Sequence, residues 1–226
     1  MALPPNVTLH RFGHEAAPVL QIDEFSGIAD ELLARGRSAS YQDAGAMYPG
    51  LRSWCEPDYL DRNRTLLFQA LHHVFGFQKG VKLDASTYSL VTLAPGDLAP
   101  IQRIPHYDHA AGNIVAVMHY LLGPETGGTA FYRHRRTGFE TVTSQREDAY
   151  NTGLEADEGE FGPPPEGYYY GNSDRYELIG EIEARPDRFI LYSGRMLHSG
   201  VIPNPERLTA DPRTGRLTIN MFMTAR

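Results

Sequence analysis

The chain has 226 residues, a hydrophobic fraction of 41% and a mean hydropathy of −0.40, which are typical of one medium-sized globular domain. A net charge of −7 and a pI near 5.7 disfavour electrostatic capture of nucleic acid, so we expect no nucleic-acid partner. The single cysteine, Cys55, excludes an intramolecular disulfide and a multi-thiolate metal site, so a metal would need histidine and carboxylate ligands.

Membrane insertion and secretion are not indicated by the sequence. No run approaches the roughly 18 apolar residues that a membrane-spanning helix needs. The first residues also lack the basic and then apolar pattern of a secretory leader. We therefore expect a cytoplasmic protein with no membrane partner.

Two N-terminal segments carry apolar residues at helical spacing. Residues 22–38 predict an amphipathic helix that is capped near Ser26 and ended by Gly36. Residues 60–75 predict a second helix. We expect residues 1–82 to form a helical support for the rest of a single domain, 1–226.

From about residue 83 the apolar period changes to two. Segments of this kind, bounded by Gly, Pro, Asn or Asp, lie at 84–93, 112–122, 127–135, 175–184, 187–194 and 215–223. Helices followed by a run of antiparallel-looking strands predict a mainly β fold, a sandwich or barrel in residues 83–226 with the N-terminal helices packed on one sheet.

Residues 144–175 interrupt this pattern. The segment is acidic, rich in Gly and Pro and poor in aliphatic residues, so it reads as a long loop. Its consecutive tyrosines, Tyr168, Tyr169 and Tyr170, could cover a pocket as part of a lid. An ordered insertion packed on its own aromatics explains the composition equally well.

The stretch QRIPHYDHA, 102–110, holds two histidines and an aspartate. In an extended chain residues i and i+2 project from the same face, so His106 and Asp108 should lie side by side while His109 points away. An imidazole nitrogen and a carboxylate oxygen placed in this way can occupy neighbouring positions around a metal. His-x-Asp alone also fits a hydrogen-bonded surface pair.

A third ligand is available downstream. His198 follows a predicted strand and a Ser-Gly turn, and an antiparallel barrel can bring it beside the earlier pair. Two histidines and one carboxylate on one side of a divalent iron leave three positions open, which is the facial triad of non-haem Fe(II) oxygenases.

The last predicted strand, GRLTINMFM, has two unlike faces. One is apolar and would pack under the helices: Leu217, Ile219, Met221 and Met223. The other is mixed and polar: Arg216, Thr218, Asn220 and Phe222. An arginine facing a barrel interior needs an anionic partner, and its fork can hold a carboxylate through two hydrogen bonds. Thr218 could add a hydroxyl to the same group.

These motifs in this order resemble the Fe(II)/2-oxoglutarate-dependent dioxygenases, and are most similar to the prolyl-4-hydroxylase-like branch. They are Q-x-x-P-H-x-D at 102–108, GGT-x-F at 127–131, R-x-x-L-Y-S-x-x-x-L-H-S-G-V at 188–201 and G-R-L-T-I-N at 215–220. The resemblance covers about residue 86 to the C-terminus, and the first third of the chain matches only as supporting helices. The fold it implies is a double-stranded β-helix, a jelly-roll barrel.

The resemblance also implies roles for particular residues. His106, Asp108 and His198 would be iron ligands, and Arg216 would hold the far carboxylate of 2-oxoglutarate. Tyr88, on the strand before the His-x-Asp motif, could donate a hydrogen bond to this co-substrate, although an ordinary half-buried strand tyrosine fits equally well.

The basic residue departs from the family pattern in its position. In such enzymes it commonly follows the distal histidine by fewer positions than Arg216 follows His198. Residues 204–214 look like an elongated turn that accounts for the difference. Arg207 is the rival, but it lies in this turn-rich stretch, so we favour Arg216.

The reaction implied by the resemblance couples oxidation of a substrate by O2 to decarboxylation of 2-oxoglutarate to succinate. Related halogenases lack the carboxylate ligand, so Asp108 favours hydroxylation. Two alternatives are a cupin-type metalloenzyme that does not use 2-oxoglutarate and a non-catalytic jelly-roll binding protein. We expect a small-molecule or peptide substrate and a monomer or homodimer; the acidic segment 144–175 favours a basic or neutral substrate.

Overall fold

Two antiparallel β-sheets dominate the computed structural model, which describes residue 4, residues 6–45 and residues 47–226. The strands in chain order are β1 (Val7–Phe12), β2 (Ala17–Ile22), β3 (Gln42–Asp43), β4 (Gly50–Trp54), β5 (Val81–Val91), β6 (Ile114–Tyr120), β7 (Gly128–His134), β8 (Tyr176–Glu183), β9 (Arg188–Ser193), β10 (His198–Gly200) and β11 (Arg216–Ala225). The large sheet has the order β1-β2-β9-β6-β11-β5-β4-β3, and the small sheet has the order β10-β7-β8.

The α-helices are α1 (Ala29–Ser38), α2 (Arg64–His73) and α3 (Glu147–Phe161). A 3-10 helix, Pro57–Asn63, runs directly into α2. No helix within the described ranges combines the length and the apolar character needed to cross a membrane.

The outer face of the large sheet carries the main core. Leu217 and Ile219 of β11 belong to one buried cluster with Leu32 of α1 and with Leu67 and Leu71 of α2. The apolar face expected for this strand therefore does pack under the N-terminal helices. Since burial of each such side chain contributes roughly 1.5–3 kcal/mol, this cluster fixes which face of the large sheet is left for the other sheet.

The inner face of the large sheet packs against the small sheet. Val19, Ala116 and Ile190 of the large sheet share a buried cluster with Phe131 and Ile182 of the small sheet. A third cluster on the outside of the small sheet includes Tyr150 of α3, so a helical segment covers that face as well. The result is a mainly β fold with an interior between two sheets, open at one end.

Residues 1–82 contribute strands as well as helices, which the sequence pattern did not indicate. β1 and β2 pair with each other, and β2 continues the large sheet by pairing with β9. β2 is almost wholly buried, so it shows no alternation. The strand β3 is two residues long and β4 is five, too short for a clear period.

The first helix begins later than the sequence predicted. Residues up to Ile22 complete β2, and the following turn is bound by Asp187, whose carboxylate accepts hydrogen bonds from the Ser26 and Gly27 backbone amides at 2.9 and 2.7 Å. The expected end at Gly36 was also wrong, because the helix continues to Ser38. Gly36 instead allows close contact with the sheet.

The interpretation of residues 144–175 as a loop was wrong in its first half, which forms α3. The helix is held to β7 because His134 donates from Nε2 to Asp157 at 2.9 Å, and because the hydroxyls of Tyr150 and Tyr176 lie 3.0 Å apart. Its exposed face is acidic and its composition includes two glycines, which hid the helical period.

Candidate metal centre

His106 and His198 are brought together by their own backbones. The His106 amide donates to the His198 carbonyl at 2.9 Å, and the His198 amide donates to the His106 carbonyl at 2.8 Å. The Asp108 amide donates to the Gly194 carbonyl at 2.8 Å, at the end of β9. The His-x-Asp motif is therefore extended between the two sheets, and alternation turns His106 and Asp108 to the same side.

Three potential metal ligands converge at this point. One ligand atom from each of His106, Asp108 and His198 lies within 4.8 Å of the other two. Nε2 of His106 is 3.8 Å from Oδ1 of Asp108, and Nε2 of His198 is 3.6 Å from Oδ2. Nδ1 of His198 lies 2.9 Å from the Met196 carbonyl, which can only accept, so this nitrogen carries the proton and Nε2 keeps its lone pair.

Both histidines are uncharged at neutral pH. Burial lowers the pKa of His198 to about 4, against the opposing hydrogen bond to Met196. Burial and then the neighbouring His198 lower the pKa of His106, although 44% of this side chain is exposed toward the cavity. Burial raises the pKa of Asp108, and His106 and then Arg52 oppose that rise.

One buried atom in the cluster lacks a partner. Oδ2 of Asp108 is buried and has no hydrogen-bond partner among the described residues. A buried carboxylate oxygen left in this state is costly unless something else binds it. Nε2 of His198, 3.6 Å from this oxygen, is deprotonated and cannot donate. Two neutral imidazoles and one orphaned carboxylate oxygen therefore fit a divalent cation such as Fe(II).

A cavity of about 320 Å³ opens onto the cluster from between the sheets. Its lining comes from both sheets and from the loops at their open end. The wall includes Arg52, Val91, His106, Asp108, Met118, Thr129, Tyr168, Tyr192, His198, Arg216, Asn220 and Phe222. This size and this mixed lining are typical of a small-molecule site.

Arg216 lies in the same cavity and is 8% exposed. Its Nε donates to the Thr126 carbonyl at 2.7 Å, and Nη2 lies 3.4 Å from the Gly128 carbonyl. No carboxylate among the described residues lies within ion-pair distance of Arg216. A buried guanidinium without an acidic partner is suited to an anionic ligand.

Tyr88 lies in the core and is not among the described residues lining the cavity. Tyr88 pairs with Ile219 across β5 and β11, and both belong to the core beneath the helices. The adjacent Ser89 pairs with Thr218 and takes the inner face instead. Tyr88 therefore points away from the cavity.

A different tyrosine, Tyr48, lines the cavity beside Arg216. Burial raises the pKa of Tyr48, while the charges of Arg216 and then Arg52 oppose that rise. Tyr48 lies in the turn before β4, in the part of the chain interpreted as helical support. Only its position directly before a Pro-Gly turn could have drawn attention to it.

Thr218 and Arg207 occupy different environments. Thr218 is on the inner face, but its hydroxyl donates to Oδ1 of Asn220 at 2.9 Å, and it is not among the described residues lining the cavity. Arg207 is exposed in a 3-10 turn, Pro205–Arg207, and is also absent from that lining. Of the two arginines considered from the sequence, Arg216 is the one in the cavity.

Arg52 is a cavity residue that the sequence did not single out. It lies on β4 opposite Ser89, and its guanidinium carbon is 4.4 Å from the centre of the Tyr48 ring. Its Nε is buried without a hydrogen-bond partner, and Arg52 forms no ion pair within the described ranges. No local pattern distinguishes this arginine from a solvated one.

The other histidines lie outside the cluster. His119 is bound between Tyr59 and Asp187 in the main core, and His134 is bound between Thr137 and Asp157. His109 is exposed, and its Nδ1 accepts from the Ala111 amide at 3.0 Å.

Only one of the three consecutive tyrosines lines the cavity. The hydroxyl of Tyr168 donates to the Leu93 carbonyl at 2.8 Å, which holds the ring over the cavity. Tyr169 packs against Tyr132, and Tyr170 is 58% exposed. None of the acidic residues described in 144–175 lines the cavity, so their charge is not presented to a ligand there.

Solved structures with the same fold share little sequence with this chain. The epimerase SnoN, in complex with Fe3+, alpha ketoglutarate and nogalamycin RO, matches with a TM-score of 0.53 at 14% identity, over 93% of this chain and 80% of that one. HygX from Streptomyces hygroscopicus, with nickel, 2-oxoglutarate and hygromycin B bound, matches with a TM-score of 0.50 at 14% identity, over 93% of this chain and 84% of that one. At these identities the likeness establishes the fold alone.

Sequence comparison gives a family and no curated relative. No curated protein matches the chain. The model of the family of unknown function DUF6445 matches residues 4–223, nearly the whole chain. The protein therefore belongs to the DUF6445 family.

Proposed function

We propose that the protein is an Fe(II)/2-oxoglutarate-dependent oxygenase that hydroxylates a small molecule or a peptidyl residue. The observation that carries the proposal is the presence, in one cavity, of the His106, Asp108 and His198 cluster together with the buried and unpaired Arg216. A metal site alone would fit many enzymes. An unpaired arginine in the same cavity adds the feature that a dicarboxylate co-substrate needs.

The proposal extends to the fold. The two facing antiparallel sheets, with the cluster at their open end, agree with a double-stranded β-helix. The fold of SnoN and HygX, which were solved with alpha ketoglutarate (2-oxoglutarate) bound, supports the same class. The sequence motifs at 102–108 and 188–201 favour the prolyl-4-hydroxylase-like branch within it.

The candidate ligand side chains can bind a cation without first releasing a proton. Both imidazoles are neutral, and the Met196 carbonyl fixes the His198 tautomer. The carboxylate of Asp108 supplies the single negative charge. As a metal ligand, Asp108 would fill the position that a halide needs in the related halogenases, so hydroxylation is the outcome we propose.

The remaining residues bind and shield. Arg216 would hold the distal carboxylate of 2-oxoglutarate in a charge-assisted pair, with the hydroxyl of Tyr48 nearby. Tyr168 and the two sheets would exclude water from the reacting atoms. When bound, Fe(II), 2-oxoglutarate and O2 supply the oxidising chemistry, and the products from the co-substrate are succinate and CO2.

Anaerobic titration with Fe(II) and 2-oxoglutarate tests this function. We expect a metal-to-ligand charge-transfer band in the wild type, its loss in His198→Ala, and its appearance only at higher 2-oxoglutarate concentration in Arg216→Gln. Absence of the band in the wild type would reject the proposal.

The same titration separates the alternatives. Metal binding without 2-oxoglutarate binding would favour a cupin-type metalloenzyme. A band that is never followed by succinate release, across a panel of amino acids, peptides and small metabolites, would favour a binding protein.

A further inference from the structure

We propose that Arg52 is the subsite for a carboxylate of the substrate, separate from the co-substrate site at Arg216. The inference rests on the proposed function, because it divides the cavity between two anions. It implies that the substrate carries one negative charge close to the carbon that is oxidised.

The position of Arg52 supports direct contact with a ligand. The guanidinium stacks on the Tyr48 ring at 4.4 Å, which fixes the plane of its fork. Nε is buried but has no hydrogen bond, and no carboxylate within the described ranges pairs with Arg52. Arg52 has five N–H donors beside the cavity, and none of them is hydrogen-bonded to another described residue, so they remain available for an occupant.

Arg52 is close to the metal cluster. Arg52 lines the same cavity as the ligand side chains of His106 and Asp108. It is also held apart from the co-substrate arginine, because Arg52 and Arg216 lie on β4 and β11, with β5 between them. Ser89 pairs with Arg52, whereas Val91 pairs with Arg216, so the two arginines belong to different rows of the sheet.

Charge balance points to a monoanion. The described lining residues that carry a carboxylate, an imidazole or a guanidinium are Arg52, His106, Asp108, His198 and Arg216. The two carboxylates of 2-oxoglutarate would balance the two positive charges of a divalent metal. The positive charge of Arg216 would balance the negative charge of Asp108. The charge of Arg52 is then left over, and a half-buried cation without a counterion favours an anionic partner.

The cavity entrance is apolar. Met47 and Ile101 are 71% and 45% exposed at its rim, and Ile104 and Ile202 continue the same wall. Exposed apolar groups beside a single cation suit a molecule with an apolar part and one carboxylate. This expectation replaces the preference for a basic or neutral substrate, since the acidic residues described in 144–175 do not line the cavity.

The alternative is that Arg52 only supports Tyr48 by stacking. In that case the charge would matter little, and no ligand would be recognised through it. A second alternative is that Arg52 binds the co-substrate together with Arg216. The experiment must therefore score carboxylate recognition and 2-oxoglutarate binding separately.

Calorimetric titration with matched probes tests the subsite. The probes are octanoate against octanamide and 3-phenylpropanoate against 3-phenylpropanamide, each added to the full-length protein with and without Fe(II) and 2-oxoglutarate under anaerobic conditions. In the loaded wild type we expect at least one acid to bind about tenfold or more tightly than its amide, as for a charge-assisted hydrogen bond. Arg52→Gln should abolish this preference, and Arg52→Lys should retain part of it.

Matched variants complete the design. Arg207→Gln removes an exposed arginine outside the cavity and should leave the acid preference intact. In metal-free protein the preference should survive Arg216→Gln. The charge-transfer band of Arg52→Gln should appear at the same 2-oxoglutarate concentration as in the wild type.

Three results would overturn the subsite: no acid preference in either probe pair, a preference that persists in Arg52→Gln, or a loss of 2-oxoglutarate binding in Arg52→Gln. Tighter binding of octyl phosphate than of octanoate would overturn the assignment to a carboxylate. Absence of the band in the wild type would instead reject the proposed function. The titration of metal-free protein would then decide on Arg52 independently.

Discussion

The backbones of His106 and His198 form an isolated two-residue ladder that places their ring centroids 4.4 Å apart. The two hydrogen bonds of this ladder join residues that are far apart in the sequence. Main-chain pairing between a loop and β10 therefore sets the positions of the two histidines. Their side chains then lie beside Asp108 in the directions that an extended backbone gives them.

Loss of any one ligand should abolish tight metal binding. We expect His106→Ala, Asp108→Ala and His198→Ala each to weaken Mn(II) or Fe(II) binding by more than about 100-fold. This loss exceeds the one expected when only a residue that hydrogen-bonds a metal ligand is removed. Anaerobic calorimetry measures this. His109→Ala is the matched control, because this exposed histidine lies outside the cluster. Equal metal affinity in His109→Ala and His198→Ala would reject the assignment.

Arg216→Gln should weaken 2-oxoglutarate binding while metal affinity stays the same. A charge-assisted pair in a partly desolvated site is worth about 1.5–3 kcal/mol, so we expect roughly a 10- to 150-fold loss. Arg207→Gln, which removes the exposed rival, should have no effect. Calorimetry in the presence of Mn(II) measures both constants. If Arg207→Gln produced the loss, the co-substrate site would lie elsewhere.

Two tyrosine-to-phenylalanine changes should affect different properties, one of them ligand binding and the other stability. Tyr48→Phe removes a hydroxyl beside Arg216 and should weaken 2-oxoglutarate binding about 3- to 10-fold, as expected for the loss of one hydrogen bond. Tyr88→Phe should leave that constant unchanged and reduce stability by about 0.5–1.5 kcal/mol, since its hydroxyl lies in the core near Cys55. Reversal of this pattern would show that Tyr88 reaches the cavity.

Close contact between α1 and the sheet should make Gly36 sensitive to substitution. A Cβ at Gly36 would lie 2.7 Å from a methyl carbon of Leu217 and 2.8 Å from the Tyr88 ring. We expect Gly36→Ala to destabilise the protein by about 1–3 kcal/mol, the usual cost of overpacking. Urea unfolding measures the change.

Gly159→Ala provides the control for that measurement. Gly159 lies in α3 with no other atom near its added Cβ, so the change should be neutral or stabilising by up to about 1 kcal/mol. If both variants were equally stable, the tight packing of α1 on the sheet would be contradicted.

Acid should destabilise the protein through its buried neutral histidines. Burial is the largest cause that lowers the pKa of His119 and of His134 from the ordinary value of 6.5. As the pH falls through about 6.5, the unfolded chain takes up protons at these residues and the folded protein does not. The free energy of unfolding therefore decreases as the pH is lowered, by up to about 1.4 kcal/mol per pH unit for each histidine.

Urea midpoints at about pH 7.5 and pH 5.5 measure this dependence, which follows from the ordinary histidine pKa. Burial by itself would raise the pKa of Asp187, but the hydrogen bonds from His119 and Ser26 outweigh burial and lower the pKa to about 2. This carboxylate stays ionised in both buffers, and its contribution is lost only as the pH falls toward 2. A midpoint that is unchanged or higher at the lower pH would contradict the expected dependence.

The periodic features of the sequence predicted the mainly β class and half of the candidate site. Alternation along β11 separates Arg216 from Leu217, and alternation in 102–110 separates Asp108 from His109. These assignments succeed because side-chain direction in an extended chain depends only on neighbouring residues. Composition added that histidine and carboxylate were the available metal ligands.

For β5, unlike β11, alternation could not decide which face is the inner one. Tyr88 and Ser89 are equally plausible cavity residues until the pairing of β5 with β11 is known, and a shift of one residue would exchange them. The same pairing brings β4 alongside β5, and with it Arg52 into the cavity. Nothing in the local sequence of β4 predicts this.

The sequence by itself predicted a mainly β chain and singled out two histidines and an aspartate as candidate metal ligands. Only the tertiary structure decided that Tyr48 and Arg52 complete the cavity and that Tyr88 does not reach it. The physical reason is that periodicity and composition are local properties. The register between distant strands is fixed by which apolar faces can be buried together.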